Sequence, residues 1–343
     1  MNLPSATQQS HARPSGAASP RSAPAFVADA PPRCVVCGAH GPGIAAEARA
    51  VSSNVRAFAS EQFWLWRCAE CHSIHARDEV DLGHYYAGYP FFELPLDWRM
   101  RAAYAEQRRR LEAAGIRPSD RILDYGCGSG AFVRYLQSCG YRQAVGFDGY
   151  NQRFADPSLL ARRYDCVLSQ DVLEHVPDPQ ALLDLFGRLT APGGSIAIGT
   201  PNASAIDLGR AEQYRHTLHA PYHRHIFSRA ALARSGERRG WSLEQYYPTQ
   251  YANTLVPFLN SRFYLFFMRT LDDTLDCLLE QPPRIGPCLA RWPAALAWGL
   301  CGAYHAEETD VMAVFRAPSA SASETPGSPA GGESCSLAPL DRH

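Results

Sequence analysis

The stretch Ile122-Leu123-Asp124-Tyr125-Gly126-Cys127-Gly128-Ser129-Gly130 constrains this chain more than any other. Its apolar start reads as a buried strand, and Phe132, Val133 and Leu136 follow at helical spacing, so the glycines fall in a strand-to-helix turn. Glycine lets the backbone turn sharply there and lets a ligand approach main chain where a Cβ would clash. Taken alone the signal is permissive, because Gly126, Gly128 and Ala131 also satisfy the dinucleotide pattern G-x-G-x-x-A.

The surrounding chain alternates short apolar runs with helical segments, which predicts a mostly parallel sheet covered on both faces. Strands are expected over 121–124, 144–148, 165–169, 195–199, 243–247 and 311–315, the last two as an antiparallel hairpin, with helices over 98–114 and 229–238. The second strand ends at Gly146-Phe147-Asp148, and a carboxylate in that place can accept hydrogen bonds from both hydroxyls of an adenosyl ribose. Two later segments narrow the choice of nucleotide: Tyr164 to Val176, reading YDCVLSQDVLEHV, and Ala191 to Asn202, reading APGGSIAIGTPN. With the glycine turn they resemble the class I S-adenosylmethionine-dependent methyltransferase family over about residues 99–316.

The resemblance implies a Rossmann-like α/β sheet with an antiparallel last strand, and S-adenosylmethionine as cofactor. Asp124, Gly126, Cys127, Gly128 and Gly130 would then face the methionine part, and Asp148 with Gly149 the ribose. Gln170 and Asp171 would lie beside the adenosyl group, with Tyr150 and Gln170 as candidate adenine contacts. One departure stands out: only residues 149–164 separate the second strand from the third, where the family usually fits two helices and a strand.

Methyl transfer is an in-line displacement, so the protein has to position an acceptor and, for a hydroxyl or acidic carbon, remove a proton. Neutral histidine suits that task. His175 follows the third expected strand closely, at the sheet edge where ligands bind. His219, His223 and His225 crowd the segment LHAPYHRHIFS with Arg224. His175, His223 and His225 are the candidate bases. If the segment is extended, His223 and His225 point to the same side. A metal held by that pair lacks evident further ligands, which favours an acid-base or substrate-orienting role. Glu174 is a candidate for fixing a histidine tautomer, and Arg224 for holding an anionic group. Similar His-bearing segments occur in sugar C-methyltransferases with a cysteine-rich N-terminal module. The run Leu173-Glu174-His175-Val176-Pro177-Asp178-Pro179 resembles ubiquinone-pathway O-methyltransferases and keeps a phenolic acceptor open.

Cys34-Val-Val-Cys37 and Cys68-Ala-Glu-Cys71 form two C-x-x-C knuckles, which together can give four thiolates to a structural Zn2+ in a small zinc-ribbon-like module. His72 and His75 are nearby spare donors or surface residues. The expected organisation is a disordered tail over 1–30, module and connector over 31–90, a methyltransferase domain over 91–317 with an aromatic insertion at 250–304, and a second tail from 318. That insertion, with Phe258, Phe263, Phe266, Phe267, Trp292 and Trp298, is a candidate lid or homodimer face.

Composition removes several classes. All 33 basic residues are Arg, so a Walker A lysine, a kinase lysine and a pyridoxal-phosphate Schiff base are excluded. A net charge of -1 speaks against a nucleic-acid partner, leaving a small-molecule acceptor (sugar, glycan or natural-product-like) ahead of an RNA methyltransferase or a non-catalytic binding protein. The paired cysteines and the lack of a long apolar run fit a cytoplasmic protein without a transmembrane segment.

Overall fold

The computed structural model describes residues 33–41, 43–87 and 96–319; the expected tail over 1–30, and the one from 318 beyond its first two residues, lie outside the described residues. The N-terminal part contributes β1 (Ala45–Ser52), β2 (Gln62–Cys68), β3 (Ile74–Ala76) and α1 (Leu82–Ala87). After the connector come α2 (Trp98–Ala113), β4 (Ile122–Tyr125), α3 (Ala131–Ser138), β5 (Ala144–Phe147), β6 (Tyr164–Gln170), α4 (Pro179–Leu189) and β7 (Thr190–Pro201). The remainder is α5 (Arg215–Leu218), β8 (His225–Ile226), α6 (Arg229–Glu237), β9 (Ser242–Tyr247), α7 (Ser261–Thr270), α8 (Gly286–Ala290), α9 (Trp292–Cys301) and β10 (Asp310–Arg316).

Six strands make the central sheet in the order β5-β4-β6-β7-β10-β9. The first four are parallel, and β10 runs antiparallel to both β7 and β9, as the hairpin expectation required. Parallel strands must bury both faces, and successive residues take opposite sides. Leu123, Val167, Ile196 and Phe315 face one layer with α4 and α6, while Ile122, Leu168, Ala197 and Val314 face the other with α2 and α3. The short segment between β5 and β6 holds only a 3-10 turn at Pro157–Ala161, so the sheet has no additional strand on that edge among the described residues.

Helix ends follow local chemistry. Asp97 caps α2 by accepting from the Met100 amide, Asp178 caps α4 from Ala181 with Pro179 in the first turn, and Ser228 caps α6 from Ala231. On α2 the residues Ala103, Tyr104, Gln107, Arg110 and Leu111 are buried, the i, i+3/i+4 stripe expected of a helix lying on a sheet.

The second sheet has the order β1-β2-β3-β8 and is antiparallel. Its last strand comes from the segment before α6, with Ile226 opposite Ile74 and His225 opposite His75. Helices α7 to α9 fill the expected insertion. They are tied to the N-terminal part by Arg56, which pairs with Asp272 at 2.7 Å and Glu280 at 2.6 Å, and by the Leu275 amide donating to Asn54. Leu289, Trp292, Leu300 and Tyr304 stay exposed on the outside. No described helix is long and apolar enough to cross a membrane.

Candidate functional site

At the carboxyl end of β4, Gly126, Gly128 and Gly130 adopt φ of +80°, +53° and +70°. Only glycine takes these without strain. A Cβ at Gly126 would lie 2.2 Å from Val172 Cγ2, and one at Gly130 2.2 Å from Phe154 Cζ, so the turn is also packed from outside. The Asp148 carboxylate laces the neighbouring loop to it: Oδ2 accepts from the Gly128 amide at 2.9 Å, and Oδ1 from the amides of Tyr150 (2.8 Å) and Asn151 (3.1 Å). Each oxygen retains accepting capacity beyond these bonds. Tyr150 is fully exposed and Gly149 lies at the surface.

Burial, with Asp148 adding to it, lifts the Asp124 carboxyl from its ordinary range to about 7. Burial also raises the Cys127 thiol, which keeps it protonated and a poor nucleophile. At the tip of β6, Gln170 donates to Asp171 at 2.8 Å and accepts from Gln107 at 3.3 Å. Asp171 has φ of +54°, and burial lifts its carboxyl to about 7. Two rings that sequence reasoning did not single out as site residues lie in the field of these acids: Tyr104 on α2 and Tyr251 at the start of the insertion, stacked with centroids 5.9 Å apart. Tyr104 lies in the buried stripe of α2, where core packing alone explains it, and nothing local marks Tyr251.

Beyond Asp171, the loop after β6 carries Glu174 and His175. Glu174 is wholly buried; its Oε2 accepts from Thr200 Oγ1 at 3.0 Å, and its backbone carbonyl accepts from the amides of Arg224 (2.7 Å) and His225 (3.1 Å). Those bonds draw the segment 219–225 against the loop. His223 Nδ1 sits 2.8 Å from the Thr217 carbonyl, and its Nε2 lies 3.8 Å from Glu174 Oε1. His175 Nδ1 is 3.1 Å from the Tyr222 carbonyl and 3.2 Å from Tyr86 Oη, and the His175 and His223 rings are 4.8 Å apart. Burial holds His175 down at about 4 and His223 and His219 well below the ordinary value; burial, with Asp171 adding, pushes Glu174 well up. His223 and Glu174 are too far apart to hydrogen-bond, and burial disfavours the charged form of each.

His225 goes elsewhere. Residues 219–223 form a tight turn, with the amides of Tyr222 and His223 donating to the His219 carbonyl, so the extended geometry assumed for His223 and His225 does not hold. Only 225–226 are extended. His225 Nδ1 lies 3.1 Å from His75 Nδ1, and His75 Nε2 lies 3.2 Å from Cys34 Sγ. His75 is buried against Trp66 and is not a surface residue, whereas His72 is exposed.

Residues 97–246 match the family model of a methyltransferase domain. This segment is similar to methyltransferase domains. The match begins after the cysteine pairs and stops before α7 to α9, so neither flank is accounted for by it. Among relatives, the domain is similar to an uncharacterized methyltransferase of Mycobacterium sp. (strain JLS), 33% identical over 130 residues, 38% of this chain and 41% of that protein. It is also similar to the ubiquinone biosynthesis O-methyltransferase of Aeromonas salmonicida, 30% identical over 148 residues, 35% of this chain and 62% of that one. The chain thus spans about two fifths to three fifths of the length of these two relatives. Solved structures overlap it more loosely. Coclaurine N-methyltransferase bound to N-methylheliamine and SAH covers 62% of this chain and 72% of that one, at 14% identity and TM-score 0.36. An S-adenosylmethionine dependent methyltransferase from Mesorhizobium loti covers 62% and 97%, at 16% identity and TM-score 0.37.

Beside the methyltransferase domain, the two knuckles converge. Cys34 Sγ is 3.6 Å from Cys71 Sγ and Cys37 Sγ is 3.8 Å from Cys68 Sγ, and all four sulfurs lie within 4.8 Å of one another. A tetrahedral ion ~2.3 Å from each sulfur sets sulfurs ~3.8 Å apart, so the spacing fits one ion. Gly38, at φ +80°, ends the first knuckle in a turn that only glycine enters freely. The Cys71 carbonyl accepts from Ser228 Oγ at 2.6 Å, which joins the knuckle to the cap of α6.

Proposed function

We propose that the chain transfers the methyl group of S-adenosylmethionine to a hydroxyl or acidic C–H of a small-molecule acceptor. The observation that carries this reading is the position of two features along one edge of the sheet. The left-handed glycine turn laced to Asp148 follows β4, and the loop that carries Asp171, Glu174 and His175 follows the neighbouring parallel strand β6, so both lie at the carboxyl ends of adjacent strands. Bound donor supplies an electrophilic methyl carbon. The residues' part is to hold it and receive a proton: the turn 126–130 takes the methionine portion, Asp148 the ribose hydroxyls, and Gln170 and Asp171 the adenosyl side. His175 or His223, held neutral by burial, is able to accept the proton of the acceptor. His225, turned toward His75, is the weakest of the three expected bases.

The relatives' names favour a hydroxyl acceptor, and a sugar, glycan or natural-product-like hydroxyl is the class proposed. The lack of Lys and a net charge of -1 disfavour an RNA substrate. Zn2+ is proposed for the four cysteines as a structural ion, the module over 31–90 as a unit it holds together, and the exposed apolar side of α8 and α9 as a lid surface or dimer face. Calorimetry with S-adenosylmethionine and its demethylated product, followed by labelled-methyl transfer to panels of hydroxyl acceptors, tests the reading. No heat with either nucleotide, or uptake of a nicotinamide dinucleotide instead, would overturn it.

A further inference from the structure

The spacing of His223 and His225 alone offers no third ligand for a metal. The fold supplies one from elsewhere in the chain. Glu174, His175 and His223 each present a donor atom, and the three lie within 4.8 Å of one another. We infer that these residues form a second metal site, distinct from the four cysteines, which takes one zinc-class divalent cation.

Three observations carry it. First, Glu174 Oε1 is buried without a hydrogen-bond partner among the described residues, while Oε2 is anchored by Thr200. A buried acceptor left in this way is costly unless something positive faces it. Second, Nδ1 of both histidines lies against a backbone carbonyl, Thr217 for His223 and Tyr222 for His175. A donor at Nδ1 leaves the other ring nitrogen with its lone pair, the arrangement that orients ligating histidines. Third, the 3.8 Å between His223 Nε2 and Glu174 Oε1 is too long for a hydrogen bond. Two donors each ~2.1 Å from a common ion lie ~3–4 Å apart.

The donor set decides the class of cation. Two imidazoles and one carboxylate suit zinc and its neighbours; calcium and magnesium prefer sites built wholly from oxygen. Three protein ligands leave a fourth position open, as in catalytic rather than structural sites. With both histidines committed to the cation, an acceptor hydroxyl entering there would give up its proton to water, in place of His175 or His223. Its oxygen would then bond to the methyl carbon as the carbon–sulfur bond breaks and sulfur keeps the pair. This use of the site rests on the proposed methyl transfer; its occupancy does not.

The test is the zinc content of full-length protein, purified and dialysed against micromolar zinc. Two equivalents per chain are expected. Glu174→Gln and His223→Ala should each bind one, and a Cys34→Ser/Cys37→Ser protein should lose the other equivalent. Cobalt(II) substitution is the second readout, since the cysteine site absorbs through thiolate charge transfer and the Glu-His site does not. A cobalt spectrum unchanged by Glu174→Gln would overturn the inference even if that variant were unstable. One equivalent in the wild-type protein, or two in both variants, would overturn it also. Donor calorimetry on the same samples separates the two ideas. Donor binding with a single zinc and reduced turnover in His223→Ala would leave methyl transfer standing and remove the second cation. Two zincs without donor binding would do the reverse.

Discussion

The proposed donor site is proton-linked through Asp124. Its carboxyl is buried at the end of β4, and burial with the neighbouring Asp148 raises it to about 7. At pH 7 it is therefore about half protonated. A ligand ammonium or sulfonium brought within ~4 Å interacts with the ionised form by roughly 4 kcal/mol at an effective dielectric constant of ~20, which is ~3 pKa units. That returns the carboxyl to the ordinary range. Binding should then expel about half a proton at pH 7, about nine tenths at pH 6 and almost none at pH 9. Donor affinity should rise about tenfold per pH unit up to ~7 and level off above it. Calorimetry in buffers of different ionisation enthalpy measures the release directly, and Asp124→Asn should remove most of it. If the wild-type protein expels no proton between pH 6 and 7, or if the Asn variant expels as many, the carboxyl does not face the donor's charge.

Other outcomes follow from the same geometry. Because the folded value of Asp124 is raised, its share of stability is present below its ordinary value of 3.8 and is lost as pH rises through about 7. Thermal melts of the nucleotide-free protein should show Asp124→Asn gaining relative to wild type between pH 5 and 8, and equal shifts at both pH values would count against this. Gly126→Ala forces a Cβ into Val172 at a φ of +80° and should cost about 1–3 kcal/mol with loss of donor binding, read by melting and calorimetry. His175→Ala and His223→Ala should each lower turnover by about 10²–10⁴ with little change in donor affinity; full turnover in both would remove the histidines from the mechanism. Chelation of the ion proposed for the four cysteines, or Cys34→Ser, should lower the melting temperature and loosen the segment 219–228, since Ser228 and His75 are held against the knuckles.

Much of the fold was legible because it is local. Buried runs such as Ile122-Leu123 mark parallel strands, and Asp97, Asp178 and Ser228 announce helix starts. The ends were less so: β7 begins at Thr190, opposite Tyr164, but its continuous pairing starts at Ser195 as expected, because Gly193 at φ +70° breaks the register between them. The glycine turn and Asp148 were found together because one strand pair fixes both. The histidine cluster was only half visible. Its groups Glu174, His175, Thr200 and His223 come from two loops and the end of β7, and no spacing along the chain reports their approach. The divergence of His223 and His225 escaped for a related reason, since an alternation rule applies only to extended chain and the turn at His219 breaks it.

Strand β8 is only two residues long, but it is the seam of the molecule. It belongs by hydrogen bonding to the sheet of the cysteine knuckles and by sequence to the stretch that carries His223 against Glu174 and His175. A chain begun at residue 96 would keep every strand of the central sheet, yet it would strip that stretch of its partner edge and uncover Ile226. The cysteine unit is thus no detachable appendage: pruning it should leave a nucleotide-binding shell that has forgotten where its second substrate goes.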